Sequence, residues 1–360
     1  MMVALWYRIC TYHRIGEMEG REDRPIEKGQ QLLSIRDLKT EFKLKDGTSL
    51  RAVDGINLDI ETGEIHGLVG ESGCGKTVTS LSILNLIQPP GFISNGEIIW
   101  NGNNLLALTK REMRLIRGRE IAMIFQNPQA SLNPLYSIGD QLISVMKLHR
   151  HLSKNEAYKE AFKLLKVVKI PDPKSRINDY PHQLSGGMCQ RAMIAMTIAC
   201  KPKLLIADEP TAALDVTIQA QILELLLELR ERFQMSMLLI SHDMGVVANM
   251  CDRISVMYLG RIVEESDTEN LYSEPKHPYT QALLKSVPVP IPSKKGQFSS
   301  LKGDMPSSID IPTGCRFRTR CPMVFDRCVK EPDLIKINSN GTRVACWLYE
   351  SKLNQKYKVY

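Results

Sequence analysis

The segment Gly70–Thr77 has the sequence GESGCGKT, whose residue types and spacing suit the binding of phosphate groups. Its glycines allow a tight backbone turn in which successive N–H groups point towards phosphate oxygens. An apolar run at 65–69 precedes it and is typical of a short buried strand, and residues 78–84 are typical of a helix. The N-terminus of that helix adds partial positive charge at the same place. We therefore predict a P-loop.

The polar side chains of this predicted P-loop have different roles in nucleotide binding. We expect the ammonium group of Lys76 to reach the terminal phosphates and the hydroxyl of Thr77 to bind Mg²⁺. The residues predicted to surround the phosphates are Gly70, Ser72, Gly73, Cys74, Gly75, Lys76, Thr77 and Val78. Taken alone, the segment could also be a glycine-rich turn with a solvated lysine, and the motifs downstream favour the P-loop.

Two adjacent carboxylates follow a second apolar run. Residues 204–207 predict a buried strand, and Asp208 and Glu209 come at its end. Beside a P-loop, such a strand end is where Mg²⁺ and the attacking water are expected. Asp208 is thus predicted to bind Mg²⁺, directly or through water, and Glu209 to orient or deprotonate the water that attacks the γ-phosphate. The alternative is a solvated acidic turn before Pro210.

A third segment, Leu184–Met188 with the sequence LSGGM, predicts a helix N-terminus that can bind an anion. Ser185 is a suitable N-cap, and Gly186 and Gly187 leave the neighbouring N–H groups uncovered. A glycine-rich cap without a ligand is the alternative. The place of the segment between the P-loop and Asp208 favours the anion site.

The elements that must position these segments follow from the apolar pattern. Alternation over 32–62 predicts antiparallel strands before the P-loop strand, and 96–102 predicts a further strand. Apolar runs that predict core strands lie at 121–125, 203–207 and 236–240. Helical spacing is found at 105–119, 155–168, 183–199 and 218–232. The alternation of strands and helices predicts an α/β fold, with a helical insertion at about 127–185.

Length and composition set the broad class. The chain has 360 residues, 43% hydrophobic and 24% charged, which is typical of a globular protein with one large and one smaller domain. Its net charge of +7 is modest and does not by itself indicate nucleic acid. No apolar run approaches the roughly 18 residues that cross a bilayer, so work at a membrane would require docking on another protein. Residues 1–29 lack the features of a signal peptide and are predicted to be a mobile extension.

Six motifs in order over 32–265 resemble those of ATP-binding cassette (ABC) ATPases. The three segments above match Walker A, Walker B and the signature motif of that family. The other matches are Gln126 with the Q-loop, Ala213-Leu214-Asp215 with the D-loop, and His242 in Ser241-His242-Asp243 with the switch histidine. The resemblance implies a P-loop NTPase with a RecA-like core, an antiparallel β subdomain and a helical subdomain. It also makes Phe42 a candidate for stacking on adenine, although a core-strand role is nearly as plausible for Phe42.

The resemblance further implies how two cassettes cooperate. They would pair head to tail, so that Ser185, Gly186, Gly187 and Gln190 of one chain contact ATP held by the other. Gln126 would touch Mg²⁺ and sense the membrane subunit, and His242 would contact the γ-phosphate. Asp215 would act in the D-loop. The implied Mg²⁺ ligands are Thr77, Gln126 and Asp208, and the implied catalytic residues are Glu209 and His242.

Further segments resemble the ATPases of oligopeptide/dipeptide and nickel importers. They are Gly67–Gly73, Phe125–Pro128, Ser131–Pro134, Tyr180–Leu184 and His277–Leu284. Lys76–Thr79 is more similar to the first of the two ATPase subunits of such importers. The implied partners are a homologous second ATPase subunit, two transmembrane permease subunits and an extracytoplasmic peptide-binding protein, at the cytoplasmic face of the cell membrane. Nickel or another small solute, and a non-transport soluble ABC ATPase, are the alternatives.

Four of the nine cysteines lie close together in the sequence near the C-terminus. They are Cys315, Cys321, Cys328 and Cys346, and the resemblance implies that they hold a [4Fe–4S] cluster, which needs four thiolates. Four-thiolate zinc and a set of free thiols are the alternatives. The predicted divisions of the chain are an extension at 1–29, an ABC ATPase domain at 30–268, a cysteine-bearing C-terminal module at 269–350 and a tail at 351–360.

Overall fold

The computed structural model describes residues 29–212, 214–286, 303–337 and 341–350. The predicted extension at 1–29, apart from Gly29, and the predicted tail at 351–360 lie outside the described residues, as does Ala213 of the predicted D-loop. The chain forms two compact units. In the described residues, the first unit comprises 29–30, 61–63 and 107–238 without Ala213, and the second comprises the remainder.

The elements of the described residues have the following bounds. The strands are β1 Gln31–Lys43, β2 Ser49–Glu61, β3 Ile65–Val69, β4 Gly91–Trp100, β5 Asn103–Asn104, β6 Ile121–Ile124, β7 Leu204–Asp208, β8 Ser236–Ser241, β9 Arg253–Tyr258, β10 Arg261–Asp267, β11 Ile335–Lys336 and β12 Arg343–Val344. The α-helices are α1 Lys76–Ile83, α2 Lys110–Ile116, α3 Pro128–Ser131, α4 Ile138–Arg150, α5 Lys154–Val167, α6 Pro173–Arg176, α7 Gly186–Ile198, α8 Val216–Phe233, α9 Met244–Met250, α10 Thr268–Ser273 and α11 Pro278–Lys285. None of these helices has the length and apolarity needed to cross a membrane within the part of the chain that the structure describes.

An antiparallel sheet in the second unit has the strand order β2-β1-β4-β5. Apolar residues of β1 lie opposite apolar residues of β4, with Leu33 paired with Trp100 and Ile35 with Ile98. These side chains are buried, because alternate residues of a strand point to the same face of the sheet. The antiparallel strands predicted over 32–62 are therefore present.

The strand that precedes the P-loop lies in a second sheet. Within the second unit its order is β11-β12-β10-β9-β3, and β3 is parallel to β9 while the other pairs are antiparallel. All five residues of β3 are buried, and the ring nitrogens of its one polar residue, His66, form hydrogen bonds with Glu64 and Ser255. The strand thus fixes the start of the Gly70–Thr77 loop from inside the core.

The first unit combines parallel strands with helices. β6 is parallel to β7, from Ile121 opposite Leu204 to Ile124 opposite Ala207. Helix α5 buries the apolar face that its spacing predicts, and a capping box between Ser153 and Glu156 fixes its first turn. Helices α3 to α6 lie within the range of the predicted helical insertion. β8 begins in this unit and ends in the second.

The region 105–119 differs from the single helix that was predicted. It contains a 3₁₀ turn at Leu105–Ala107 and then α2, which begins only at Lys110. The hydroxyl of Thr109 accepts a hydrogen bond from the amide of Glu112, and the Glu112 carboxylate accepts one from the Thr109 amide. This capping box starts the helix at Lys110, since it satisfies amides that have no partner inside the helix.

An aromatic cluster lies within the second unit. The rings of Tyr258 and Tyr279 have centroids 4.7 Å apart, and Phe317 lies 5.4 Å from each of them. All three side chains are buried. The cluster joins strand β9, helix α11 and the C-terminal region, because each contributes one ring.

Candidate functional site

The Gly70–Thr77 loop connects β3 directly to α1, as predicted. Gly75 is the N-cap of α1 and has a φ of +112°. A Cβ atom at Gly75 would lie 2.3 Å from the carbonyl oxygen of Ala52, closer than real contacts allow. The position therefore requires glycine both for its backbone conformation and for its close packing.

Lys76 is buried, and its ammonium group bonds to the loop itself. Its Nζ donates to the carbonyl oxygens of Gly70 at 2.7 Å and Glu71 at 3.0 Å. These carbonyls hold the positive charge in the loop, where phosphate oxygens could replace them as acceptors. Cys74 beside it is also buried, and burial raises the pKa of its thiol. Ser72, Gly73 and Thr77 are exposed, whereas Val78 is half-buried.

Sequence reasoning missed two residues that bond to this loop. The hydroxyl of Tyr279 accepts a hydrogen bond from the amide of Glu71, and Arg320 donates to the Glu71 carboxylate. Both partners lie more than 200 residues from Glu71 in the chain. No local pattern could have found these contacts.

The two predicted carboxylates lie at the end of β7 in the first unit. All five residues of β7 are buried, including Asp208 at its last position. Glu209 follows with a φ of +45°, an unusual conformation for a residue with a side chain. The strand end thus makes a sharp turn at the residue predicted to act on water, and such strain is frequent at functional sites.

Gln126 contacts the predicted catalytic carboxylate. Its Nε2 donates to Oε2 of Glu209 at 2.7 Å. Both residues follow the ends of neighbouring parallel strands, β6 and β7, so the sheet brings them to the same edge. The structure therefore brings Gln126 to the Asp208-Glu209 pair, although 83 residues separate Gln126 from Glu209 in the sequence.

The predicted signature segment forms the start of α7. Ser185 is its N-cap, and the Ser185 hydroxyl accepts from the amide of Met188 at 3.3 Å. Ser185 and Gly186 are exposed, as an anion site on a partner would require. Gln190 is only 2% exposed, and its Nε2 donates to the carbonyl of Pro210 at 2.6 Å. Within this chain, Gln190 therefore connects the signature helix to the turn after Glu209.

The remaining predicted site residues lie at the ends of elements. Asp215 is the N-cap of α8 and accepts from the amide of Ile218 at 3.0 Å. His242 is exposed and directly follows β8, and Asp243 caps α9. Phe42 is half-buried on β1 and lies beside Gly91. A Cβ atom added to Gly91 would lie 2.5 Å from the Phe42 ring. The Phe42 ring therefore packs against the neighbouring strand, while part of it stays exposed.

The oxygen donors of the predicted Mg²⁺ ligands suit that ion. Thr77 offers a hydroxyl, Asp208 a carboxylate and Gln126 a carboxamide oxygen, and Mg²⁺ prefers such hard oxygen ligands. Asp208 is buried at a strand end, a place where a carboxylate needs a cation or hydrogen-bond donors. Each of these side chains suits Mg²⁺ by its own chemistry.

The prediction of a [4Fe–4S] cluster at Cys315, Cys321, Cys328 and Cys346 is wrong. Among the residues that the structure describes, no three Cys, His, Asp or Glu side chains form a group that could hold a metal ion. The four cysteines are free thiols. Burial raises the pKa of Cys315 to about 11 and that of Cys346 to about 12, so these thiols are protonated at neutral pH. The number of cysteines is a poor criterion, because it does not fix where their side chains point.

Comparisons with known proteins identify the family. Residues 53–212 match the ABC transporter family, and residues 263–328 match the oligopeptide/dipeptide transporter, C-terminal region. The dipeptide transport ATP-binding protein DppD of Haemophilus influenzae is 50% identical over 313 residues, which cover 87% of this chain and 94% of DppD. This chain belongs to the ABC transporter ATP-binding proteins. The oligopeptide transport ATP-binding protein AppD of Bacillus subtilis is 46% identical and covers 89% of this chain, with 98% of AppD matched.

Solved structures show that the ABC ATP-binding protein has the fold predicted for its core. The ATP-binding cassette MJ0796, in a dimeric post-hydrolysis state bound to ADP and Pi, superposes with a TM-score of 0.59 at 27% identity. The match covers 66% of this chain and 99% of that cassette. The cassette cbiO1 of Clostridium perfringens, part of the ABC transporter complex cbiONQ, gives a TM-score of 0.58 at 26% identity, over 69% of this chain and 92% of cbiO1. The predicted ABC-type P-loop NTPase fold is thus confirmed.

Proposed function

We propose that this ABC ATPase is the ATP-hydrolysing subunit of an importer for dipeptides and oligopeptides. The single observation that carries the proposal is the extent of its similarity to peptide transport ATP-binding proteins. The relatives DppD and AppD are matched over more than nine-tenths of their length, including the oligopeptide/dipeptide transporter C-terminal region. Their substrates are assigned to this chain by that similarity.

The geometry of the first unit supports a role for Glu209 as the general base. Its carboxylate would accept a proton from the water that attacks the γ-phosphate. In the structure this carboxylate accepts a hydrogen bond from Gln126. Release of Gln126 would make Glu209 available for water, so that movement of the Q-loop controls hydrolysis. His242 would contact the γ-phosphate from the end of β8.

The nucleotide would be held by the second unit. Lys76 would exchange the carbonyl oxygens of Gly70 and Glu71 for the terminal phosphates of ATP, and the loop amides would bind the remaining phosphate oxygens. Thr77, Asp208 and Gln126 would hold Mg²⁺, which neutralises phosphate charge when bound. Phe42 would stack on adenine with the exposed part of its ring.

Partner proteins complete the proposed transporter. The MJ0796 cassette forms a dimer, and exposed Ser185 and Gly186 of this chain would likewise contact ATP on a second, homologous cassette. Asp215 would lie in the D-loop of the same contact. Two permease subunits and an extracytoplasmic peptide-binding protein would supply the pathway, and the chain would bind peripherally at the cytoplasmic face of the membrane.

The test is peptide uptake by vesicles that contain the chain with its permeases, binding protein and second ATPase subunit. Glu209→Gln is expected to retain ATP binding but to lower ATP hydrolysis and uptake by roughly 10²–10⁴-fold, the usual contribution of a general base. Glu224→Gln, an exposed change on α8, is the matched control and should leave both rates unchanged. Uptake of Ni²⁺ or another solute instead of peptide would overturn the substrate, and failure to bind any permease would overturn the transport role.

A further inference from the structure

Glu71, the second residue of the P-loop, is held by hydrogen bonds at each of its polar groups. Its carbonyl oxygen accepts from Lys76 at 3.0 Å, and its amide donates to the hydroxyl of Tyr279 at 2.9 Å. Its carboxylate accepts from Arg320. The carbonyl that holds the phosphate-binding lysine is therefore fixed by two residues from outside the loop, and both lie in the second unit.

Tyr279 is rigidly placed. Its ring is fully buried and packs against Tyr258 and Phe317, while its hydroxyl reaches the P-loop. Because the Glu71 amide donates to this hydroxyl, the bond favours one orientation of the peptide group between Gly70 and Glu71. Tyr279 thus sets the direction in which the loop leaves β3.

Arg320 acts on the same residue from a buried position. Its side chain is 5% exposed, and Nη1 donates to both carboxylate oxygens of Glu71, at 3.0 and 3.1 Å, and to the Tyr258 hydroxyl at 3.3 Å. Burial alone would lower the pKa of Arg320, but its bonds to Tyr258 and Glu71 outweigh burial and raise it. The single atom Nη1 makes all these bonds. A side chain with one cationic nitrogen at this point could therefore hold the Glu71 carboxylate in the same way.

We propose that Tyr279 and Arg320 are positioning residues of the ATP site, which act through Glu71 to hold the P-loop in its nucleotide-binding shape. Neither residue touches the phosphates in this role. They keep the Glu71 peptide and carbonyl in place, so that Lys76 is presented at the loop before ATP arrives. The entropy cost of ordering the loop is then met during folding, so it does not lower the affinity for ATP.

This role has a kinetic signature. A preformed loop favours bound ATP and the transition state equally, so its loss raises KM for ATP and leaves kcat nearly unchanged. Loss of a residue that contacts the transferred phosphate would instead lower kcat. A rise in KM at constant kcat therefore indicates a positioning residue, and a fall in kcat indicates a catalytic one. Thermal unfolding of each variant shows whether a general loss of stability explains the change instead.

The experiment measures the Kd of a fluorescent ATP analogue with Mg²⁺, together with steady-state ATPase kinetics, on the full chain. Tyr279→Phe keeps the packed ring and removes only the hydroxyl. Arg320→Gln removes the charge, and Arg320→Lys retains one cationic donor. Arg318→Gln is the matched control, because Arg318 bonds to Thr313 at 3.1 Å and not to the P-loop.

We expect Tyr279→Phe, which removes one neutral hydrogen bond, to raise Kd and KM by about fivefold. Arg320→Gln removes a charge-assisted contact and should raise both by about tenfold. Arg320→Lys should recover most of the affinity, and Arg318→Gln should match wild type. Glu71→Gln combined with Arg320→Gln should lose no more than the larger single change, since both act through one contact. Unchanged Kd in folded Tyr279→Phe, unchanged Kd in folded Arg320→Gln, or a fall in kcat at constant KM would overturn the proposal. If Arg320→Gln does not fold, the other variants still decide it.

Discussion

Replacement of Arg316 by glutamine is expected to destabilise the second unit strongly. Arg316 and Asp54 form an ion pair in which the side chains are 5% and 8% exposed. The same guanidinium donates to the carbonyl of Leu259 and to the carboxylate of Glu331, the latter at 3.1 Å. One side chain thus neutralises a buried carboxylate on β2 and satisfies a buried carbonyl.

The expected loss can be estimated from these contacts. Removing one partner of a buried ion pair costs about 3–5 kcal/mol, because the other charge stays buried without compensation. Glutamine can still donate one hydrogen bond, so we expect a loss near the lower end, about 3 kcal/mol at pH 7. For a unit of this size that loss corresponds to a fall in Tm of roughly 6–12 °C.

Arg51 provides the matched control for this change. It also faces Asp54, at 3.9 Å, but its side chain is 59% exposed. Exposed pairs contribute about 0–1 kcal/mol, so Arg51→Gln should lower the free energy of unfolding by less than about 1 kcal/mol. Urea unfolding followed by circular dichroism measures both variants. An Arg316→Gln loss no larger than that of Arg51→Gln would refute the reasoning.

The pH dependence gives a second check on the same pair. Burial alone would raise the pKa of Asp54, but the hydrogen bond and charge of Arg316 outweigh burial and hold that pKa below its ordinary value of 3.8. The stabilisation is therefore complete well above pH 3.8 and is lost as the pH falls through the folded-state pKa. In Arg316→Gln, only the weaker charges of Arg261 and Arg51 oppose burial, so the Asp54 pKa rises and the difference from wild type should shrink between pH 7 and pH 4.

Two further predictions concern substitutions in the second unit. Gly75→Ala places a Cβ atom 2.3 Å from the Ala52 carbonyl at a φ of +112°, so Kd for ATP should rise at least about tenfold. Gly47→Ala is the control, because Gly47 also has a positive φ, +86°, but has open space around it. This change should leave Kd for ATP unchanged. Burial lowers the pKa of His277 from 6.5 to about 3. As the pH falls below 6.5, His277 therefore binds a proton in the unfolded chain but not in the folded chain, which lowers the free energy of unfolding. His277→Gln should remove about 2 kcal/mol of the stability difference between pH 7 and pH 5, as measured by urea unfolding, and an unchanged difference would contradict this account.

Local patterns predicted the elements that position the site. The runs predicted as strands before Gly70 and Asp208 are the fully buried strands β3 and β7. Gly70 directly follows the last residue of β3, and Asp208 is the last residue of β7. Ser185 caps its helix as its residue type predicts. These features depend on neighbours within a few positions, so a single sequence contains the information.

Contacts between distant residues were not predictable in this way. The side-chain amide of Gln190, which is predicted to contact a partner's ATP, donates to the carbonyl of Pro210 within the chain, and no local pattern indicates this bond. The four C-terminal cysteines were assigned to a cluster, and they do not form a metal-binding group in the described residues. The cluster prediction rests on residue type and spacing, whereas burial and side-chain direction depend on the packing of elements far apart in the sequence.

Three carboxylates of the second unit are held by residues beyond the boundary predicted at 268. Asp54 is paired with Arg316 and Glu71 with Arg320, and the buried carboxylate of Glu264 accepts from the amides at positions 276 and 277. A region that folds on its own satisfies its own buried charges. These residues instead provide the cations and amides that the strands and the P-loop need, so the C-terminal region contributes to the stability and the shape of the nucleotide site in the same unit.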